Sequence, residues 1–350
     1  MRALTLDPST AGSLQVADLP DPRPRDGELL VRGLAVGVCG TDKEIAHAEY
    51  GWAPPGRDRL VLGHESLGRV MSAPDGSGFA VDDLVVGVVR RPDPVPCGAC
   101  AHGEFDNCRN GRYTERGIKE LDGYAAQLWC VESDYAVVLD PRLEQVGVLM
   151  EPASVVAKAW EQVRRVGERG WYAPERVLVT GAGPIGLLAA LMGAQQELEV
   201  HVLDLADRGP KPRLARALGA TYHHEDAEVV ARRLRPDVVI EATGVGRVVF
   251  GAIRNTAPFG VVCLTGLSSG DLAIEADMSA ANREMVLEND VVVGSVNANL
   301  RHYRQAADAL AKADLDWLDG LITRRVPLEG FDDAFDGRPD DVKVVITLDG

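Results

Sequence analysis

The chain has 350 residues, 46% of them hydrophobic and 26% charged, so it is long enough to bury a sizeable core and to form two domains. Its formal net charge of −16 argues against nucleic acid and anionic membranes as binding partners. The N-terminus carries no basic-then-apolar signal pattern and no apolar run reaches the length of a membrane span, so we expect a cytoplasmic protein.

Residues 1–150 consist of short β-rich runs broken by Gly and Pro, which predicts an antiparallel, barrel-like domain with long loops. The clearest of these runs are 27–40, 59–73 and 82–91. Residues 300–350 look like this first domain again, because 321–335 reads as a strand followed by a helix and 342–348 as a closing strand. We therefore expect the chain to leave this domain and later to return to it.

Residues suited to binding a catalytic metal ion are scattered over this region. Cys39 and His64 lie on separate loops, Glu65 follows the histidine directly, and Thr41 comes two residues after the cysteine. Together with Glu151, at the junction of the two expected domains, they offer a thiolate, an imidazole and carboxylates, the donors of an open zinc site. On spacing alone, a packing cysteine and an ordinary hydrogen-bonding histidine are equal alternatives.

A second group of potential metal ligands is local. Within residues 93–108, here called the cysteine lobe, Cys97, Cys100 and Cys108 form a CxxC pair with a third cysteine eight residues later, in a chain of six cysteines without an export signal. These thiols can surround a structural zinc, which needs a fourth ligand, and Asp93 and His102 are the candidates. The alternatives are inert thiols and a redox pair, although no thioredoxin-like βαβ unit surrounds the motif.

A second domain is predicted for residues 151–299. Glu151 and Pro152 open a helix, and from Arg176 onward strands and helices alternate, which predicts an α/β doubly wound parallel sheet covered on both faces. The predicted strands are 177–180, 200–205, 237–244, 260–267 and 291–297, and the segments between them are 187–196, 211–220, 246–257 and 279–289.

A glycine-rich turn follows the first of these strands. It comprises Gly181, Gly183, Pro184, Ile185 and Gly186. The first glycine allows the tight turn, the second lets the backbone approach a pyrophosphate, and the third lets the helix pack on the strand. Phosphates would then lie at the free N–H groups and the positive end of the helix. A tight turn that binds nothing is the alternative reading.

The choice of cofactor depends on the end of the second strand. Asp204, eighteen residues after Gly186, is placed to accept hydrogen bonds from an adenosine ribose. Because a carboxylate binds a 2′-hydroxyl and repels a 2′-phosphate, NAD is favoured. Arg208 follows shortly after and could reach a phosphate, so NADP stays possible.

Taken together, these segments resemble the zinc-dependent medium-chain dehydrogenases over essentially the whole chain. GVCGTDKEI, VLGHESLG, the cysteine lobe, LMEP and GAGPIG occur in the order of that superfamily. YTERGIKELDGY, LMEPASVVAKAW and VGSVNANLRHY are similar to its glucose 1-dehydrogenase group. The resemblance implies a GroES-like catalytic domain at 1–150 and 300–350, a Rossmann domain at 151–299, and a homodimer or homotetramer.

The resemblance also implies roles for single residues. The catalytic zinc would be held by Cys39, His64, Glu65 and Glu151, with Thr41 beside the reacting hydroxyl, so that Thr41, Glu65 and Glu151 take part in catalysis. The sugar would be contacted by Thr41, Glu115, Glu151 and Asn297. Without the resemblance, Glu115 would be read as a solvated loop carboxylate. The cofactor would also be contacted by two loops. One consists of Thr265, Gly266 and Leu267, and the other of Ser295, Val296 and Asn297.

Two positions depart from the pattern of the family. The first cysteine of the family's lobe falls on Pro94, so that Asp93 must substitute for it as a ligand of the structural zinc or the site is weaker. A substrate-binding aspartate of the archaeal members falls on Val155. The sugar contacts are therefore less completely matched than the catalytic zinc ligands.

The implied reaction is oxidation of an aldose, first of all D-glucose, at C1 to the lactone with hydride transfer to NAD(P)⁺. Thr41 would pass the departing proton onward, with Glu44 or His47 as its acceptor. A polyol, threonine or secondary-alcohol dehydrogenase is the alternative within the same superfamily. A zinc-free quinone reductase and a non-catalytic nucleotide-sensing protein are further alternatives.

Overall fold

The computed structural model describes residues 1–268 and 273–348. Their chain forms two units, one made of Met1–Ser154 with Asn297–Gly350 and the other of Val155–Val296. The second unit is thus an insertion into the sequence of the first. Within the described ranges, no helix is both long enough and apolar enough to cross a membrane.

The first part of the first unit is rich in short strands. Its elements in chain order are β1 (Arg2–Leu6), β2 (Gln15–Asp18), β3 (Glu28–Val38), α1 (Gly40–Ala46), β4 (Leu60–Val61), β5 (Glu65–Ser72), β6 (Leu84–Gly87), β7 (Arg90–Arg91), α2 (Gly98–Ala101), β8 (Thr114–Arg116), β9 (Glu120–Leu121), β10 (Leu128–Glu132) and β11 (Ala136–Val138). Helix α3 (Met150–Gly167) begins in this unit and continues into the second one, which starts at Val155. One-turn 3-10 helices cover Phe105–Asn107, Ser133–Tyr135, Pro141–Leu143, Gly147–Leu149 and, later in the chain, Leu328–Gly330. The long strand β3 pairs antiparallel with both β5 and β10, which makes it the centre of the largest sheet of this unit.

The second unit alternates strands and helices. After α3 its elements are β12 (Arg176–Thr180), α4 (Pro184–Gln195), β13 (Glu199–Leu203), α5 (Pro210–Ala217), β14 (Thr221–His223), α6 (Ala227–Leu234), β15 (Val238–Glu241), α7 (Gly246–Arg254), β16 (Val261–Leu264), α8 (Met278–Glu288) and β17 (Val291–Gly294). The strands form a parallel sheet in the order β14-β13-β12-β15-β16-β17. This is the Rossmann order, with its switch point between β12 and β15. The predicted fold class is confirmed.

Two elements of this unit were not predicted from the sequence. β14 has three residues and α6 has eight, so neither produces a long periodic pattern. Their positions in the sheet follow from β14 pairing with β13, and from the apolar residues of α6, Val230 and Ala231, packing in the core with Leu178 and Val239.

The chain returns to the first unit after residue 296. The returning elements are α9 (Leu300–Lys312), α10 (Leu315–Leu321), β18 (Ile322–Pro327), α11 (Phe331–Phe335) and β19 (Lys343–Thr347). β19 pairs antiparallel with β3 and parallel with β18, so that the last strand lies inside the sheet order β11-β6-β5-β3-β19-β18. Val36 of β3 and Ile346 of β19 share one buried core with Leu4 and Leu60.

Candidate active site

The predicted metal ligands of the catalytic site meet where β3 ends and β5 begins. Gly37 pairs with Glu65 in the sheet, so Cys39, two residues after Gly37, and His64, one residue before Glu65, are brought together. The Cys39 Sγ atom lies 3.1 Å from His64 Nε2. One ligand atom from each of Cys39, His64 and Glu65 lies within 4.8 Å of the other two. The strand pairing therefore assembles three donors that are scattered in the sequence.

A buried carboxylate that sequence reasoning missed supports this group. Asp42 Oδ1 lies 3.4 Å from His64 Nδ1, and Asp42 Oδ2 accepts a 2.9 Å hydrogen bond from the Cys39 backbone N–H. Burial opposes the ionisation of Asp42, but the adjacent imidazole holds the pKa of Asp42 below its ordinary value. A metal-bound histidine commonly gives its second ring nitrogen to a carboxylate, which fixes the ring. The sequence signal was the acid at the third position of helix α1, after its Cys39 cap.

Glu65 also takes part in a buried ion pair. Lys343 Nζ lies 2.6 Å from Oε1 and 2.7 Å from Oε2 of Glu65, and both side chains are 2% exposed. The same ammonium group donates to the carbonyl oxygen of Val38. Both oxygens of Glu65 are thus engaged by Lys343, and metal binding by this carboxylate would have to share it with the lysine. Sequence reasoning missed Lys343, whose signal was a lone lysine opening an apolar strand.

Glu151 and Thr41 lie in the first turns of two helices, α3 and α1. Desolvation raises the pKa of Glu151 to about 7, an effect that His64 opposes and Glu65 reinforces. Glu151 is therefore within electrostatic reach of the three assembled donors, but it is not part of their close group. Of the two suggested proton acceptors, Glu44 is half-buried on α1 and His47 is exposed just after it.

Two predicted sugar contacts, 182 residues apart in sequence, touch one another. Asn297 Nδ2 donates a 2.6 Å hydrogen bond to Glu115 Oε1. Glu115 is 4% exposed and is ion-paired with Arg90, which lies opposite it in the pairing of β7 with β8. Glu115 is thus not a solvated loop carboxylate, and Arg90 is a partner that sequence reasoning missed.

The three thiols of the cysteine lobe also converge. The Sγ atoms of Cys97, Cys100 and Cys108 all lie within 4.8 Å of one another. Hydrogen bonds from backbone N–H groups, first that of Arg109, lower the pKa of Cys97 to about 6. This arrangement supplies three of the four ligands that a structural zinc requires.

Asp93, the predicted fourth ligand, lies outside this group. Its buried carboxylate accepts hydrogen bonds from the Val95 N–H, from Asn110 Nδ2 at 2.8 Å and from Arg112 Nε at 3.2 Å. These bonds direct the carboxylate into its own loop, so the structure does not bring it to the thiols. The alternative, His102, is exposed and its Nδ1 lies 2.7 Å from the Gly98 carbonyl oxygen.

The glycine-rich turn has the geometry expected of a pyrophosphate-binding loop. Gly181 adopts a φ of +90°, which L-residues with a side chain rarely adopt. A Cβ atom added at Gly186 would collide with the Gly181 carbonyl oxygen, whereas one added at Gly183 would meet no atom of a described residue within 4 Å. Pro184 is the first residue of α4 and Ile185 the second, so that Gly183 is the helix cap. Backbone space is therefore kept open where phosphates would approach.

Asp204 is hydrogen-bonded to the backbone of this turn. Asp204 Oδ2 accepts a 2.7 Å hydrogen bond from the Ala182 N–H, and Lys211 Nζ lies 3.1 Å from the same oxygen. Although burial opposes ionisation, the Ala182 N–H and Lys211 hold the pKa of Asp204 below its ordinary value. Arg208 is exposed. The carboxylate is thus charged and fixed, with one cation already paired to it.

The remaining predicted cofactor contacts follow the ends of β16 and β17. The N–H groups of Thr265 and Gly266 donate to the Glu241 carbonyl oxygen, while the next residue, Leu267, is 72% exposed. Ser295 is buried and donates its N–H to the Leu264 carbonyl oxygen, and Val296 is exposed.

Glu241, which closes β15, is fully buried and was missed from the sequence. Its carboxylate accepts hydrogen bonds from the N–H groups of Thr243 and Gly244 and from the Thr180 hydroxyl. It therefore ties the ends of β12 and β15 together at the switch point of the sheet, where a dinucleotide binds in this fold.

Comparison with known proteins identifies the family of the chain. Residues 144–348 match the family model of the glucose dehydrogenase C-terminus, and residues 25–141 match that of the alcohol dehydrogenase GroES-like domain. The chain belongs to the glucose dehydrogenase family. The resemblance drawn from the sequence is thereby confirmed.

Relatives within the glucose dehydrogenase family match the chain over 99% or more of its length. A glucose 1-dehydrogenase of Methanocella arvoryzae is 40% identical over 357 residues, and one of Thermoproteus tenax is 40% identical over 361 residues, in each case with 99% of both chains covered. The solved glucose dehydrogenase of Haloferax mediterranei in complex with NADP, Zn and gluconolactone has a TM-score of 0.91 and 32% identity, with 100% of both chains covered.

Proposed function

We propose that the protein oxidises an aldose, first of all D-glucose, at C1 to the lactone, with zinc bound and with hydride transfer to NAD(P)⁺. The observation that carries this proposal is the 3.1 Å contact between Cys39 and His64, with Asp42 and Glu65 against it. A thiol, an imidazole and a carboxylate are zinc donors, and the set occurs in a member of the glucose dehydrogenase family.

The donor set fits a catalytic zinc. Cys39 and His64 would hold the ion, with Glu65 or Glu151 as the third protein ligand, and three protein ligands leave one position open for substrate. When bound, zinc supplies Lewis acidity that lowers the pKa of the substrate hydroxyl. Asp42 fixes the ring of His64 for this task, because it lies against Nδ1 while Nε2 faces Cys39.

The remaining residues would handle the proton and the sugar. Thr41 would accept the proton of the C1 hydroxyl and pass it onward. Of the two candidate proton acceptors, Glu44 lies three residues after Thr41 on the same face of α1, whereas the exposed His47 follows the end of that helix. Glu115 and Asn297, already joined by a hydrogen bond, would bind further hydroxyl groups, which a polyhydroxylated substrate requires for discrimination.

We propose NAD as the preferred cofactor, with NADP as a second one. The fixed negative charge of Asp204 opposes a 2′-phosphate. Lys211 offsets part of that charge and Arg208 is exposed nearby, and the Haloferax mediterranei relative was solved with NADP, so we expect the preference to be modest. We further propose that the lobe thiols hold a structural zinc.

We propose a cytoplasmic homodimer or homotetramer whose first unit is catalytic and whose second unit binds the dinucleotide. All six cysteines are free, which suits a reducing compartment. The oligomeric state is measured by size-exclusion chromatography with light scattering, and a monomer at micromolar concentration would contradict this part of the proposal.

The test is a panel of aldoses, polyols and secondary alcohols with NAD and NADP, monitored by absorbance of the reduced nicotinamide, with and without a chelator. We expect aldoses to be oxidised fastest, and chelation to abolish turnover while cofactor binding persists. A flat response to aldoses with strong turnover of a polyol or secondary alcohol would favour the alternative dehydrogenases. Cofactor binding without turnover of any compound would favour a nucleotide sensor, and a metal content near zero in the purified protein would favour a zinc-free quinone reductase.

A further inference from the structure

The two carboxylate oxygens of Glu115 have different surroundings. Oε1 accepts three hydrogen bonds, from Arg90 Nε at 3.1 Å, from Arg90 Nη2 at 2.9 Å and from Asn297 Nδ2 at 2.6 Å. No hydrogen bond from a described residue reaches Oε2, although the side chain is only 4% exposed. A buried carboxylate with one oxygen saturated and the other open is prepared to accept a hydrogen bond from a ligand.

Arg90 is held in place on three sides. Besides Glu115, its Nη1 donates a 3.0 Å hydrogen bond to the Asp106 carbonyl oxygen, and its guanidinium group stacks at 3.7 Å from the centroid of the Tyr113 ring. Arg90 is 7% exposed. A planar guanidinium with fixed contacts on both edges and one face cannot rotate freely, so it fixes the position of Oε1.

The cysteine lobe also contacts the segment that carries Asn297, the second residue that donates a hydrogen bond to Glu115 Oε1. Asn299 Nδ2 donates a 2.8 Å hydrogen bond to Asp106 Oδ1, and Arg301 forms a two-bond ion pair with Glu104, at 2.9 and 2.8 Å. Asn299 caps α9 and lies two residues after Asn297. The segment of the lobe that binds Arg90 thus also anchors the segment that carries Asn297.

We propose that Arg90 is a positioning residue of the sugar site. It fixes Oε1 of Glu115 so that Oε2 is presented to a sugar hydroxyl, and the cysteine lobe sets sugar affinity through Arg90 and Asn299. This inference rests on the proposed aldose oxidation and adds residues that the predicted sugar contacts did not include.

The chain offers a matched control for Arg90. Its neighbour Arg91 is also 7% exposed, forms two bonds to Glu132 and stacks at 4.2 Å from the centroid of the Tyr135 ring. Arg90→Lys and Arg91→Lys each keep the positive charge and lose the planar fork. We expect R90K to raise the KM for the sugar about tenfold, the effect of one lost charge-assisted hydrogen bond, with kcat and the KM for the cofactor within about twofold.

R91K should leave the KM for the sugar within about twofold of wild type, even if both variants lose similar thermal stability. Equal effects of R90K and R91K on that KM would overturn the inference, as would a fall in kcat with unchanged KM in R90K. A double-mutant cycle adds a second criterion. Because Arg90 acts through Glu115, the KM of R90K combined with Glu115→Gln should equal that of E115Q alone, and multiplicative effects would overturn the inference.

The link to the lobe is tested by Asn299→Asp. Aspartate keeps an oxygen to cap α9 but faces the carboxylate of Asp106, so the lobe contact is lost while the helix is retained. We expect a several-fold higher KM for the sugar with unchanged circular dichroism, and an unchanged KM would refute the role of the lobe. All variants are assayed on the compound that wild type oxidises best. If the wild type prefers a polyol, the proposed aldose oxidation is refuted but the role of Arg90 is not, because the same KM comparisons, made with that polyol, still test whether Arg90 positions Glu115.

Discussion

Gly183 and Gly186 provide a matched pair of substitutions that separates cofactor binding from folding. Gly183 has a φ of −78° and a ψ of −173°, which alanine adopts without strain, and an added methyl group meets no described atom within 4 Å. The same methyl group at Gly186 collides with the Gly181 carbonyl oxygen. Gly183→Ala should therefore preserve the fold, and Gly186→Ala should damage it.

The expected magnitudes differ accordingly. For Gly183→Ala, the lower chain entropy of the unfolded state stabilises by about 0.4–1 kcal/mol, and the poorer helix cap opposes this by a similar amount, so the free energy of unfolding changes by less than about 1 kcal/mol. The methyl group stands where a pyrophosphate would approach. Loss of two charge-assisted hydrogen bonds at about 1.5 kcal/mol each predicts a Kd for NAD⁺ roughly a hundredfold higher. Gly186→Ala should destabilise by about 1–3 kcal/mol or more, because α4 must move away from β12.

The assays are isothermal titration with NAD⁺ and urea unfolding of wild type and both variants. The reasoning predicts weak binding with normal stability for Gly183→Ala, and lowered stability for Gly186→Ala. If Gly183→Ala bound NAD⁺ with a Kd within threefold of wild type, no pyrophosphate would approach this backbone, and the turn would be a structural one.

Three further predictions concern single sites. Lys343→Met should lower the free energy of unfolding by about 3–5 kcal/mol in urea, because it leaves the charge of Glu65 buried without a partner, and a loss below about 1 kcal/mol would contradict the ion pair. In metal-free protein, alkylation of Cys97 should reach half its maximal rate near pH 6, because its lowered pKa leaves the thiol ionised above that pH. Cys130 should react little at pH 8, because burial raises its pKa to about 11. Mass spectrometry across a pH series measures the labelling of both cysteines, and equal labelling would refute the difference. Asp204→Ala should shift the ratio of kcat/KM for NAD over NADP toward NADP by about tenfold, and an unchanged ratio would remove Asp204 from cofactor selection.

The sequence predicts best what short segments encode. The turn from Gly181 to Gly186 and the alternation of strands and helices depend on spacings of a few residues, so the Rossmann sheet could be deduced before the structure. Very short elements were not predicted, because β14 has three residues, which are too few for a period to be recognised.

The contacts that complete the site depend on distant pairs. Lys343 and Glu65 are 278 positions apart, and no local pattern links them. The pairing of Arg90 with Glu115 likewise follows from the sheet register of β7 and β8. Asp42 is the exception, because its position three residues after Cys39 is a recognisable capping pattern that sequence reasoning overlooked.

The place of β19 in the sheet has a consequence for how the protein is made. Residues 155–296 are contiguous, so the Rossmann unit can fold as soon as it has left the ribosome. The unit whose first strands are synthesised earliest must wait for residues 343–347, since β3 has no β19 to pair with, and Glu65 no ammonium group, until that segment emerges. During that interval the edge of β3 at residues 35–38 is unpaired, and an unpaired strand edge in a nascent chain is prone to pair with other chains until it is covered.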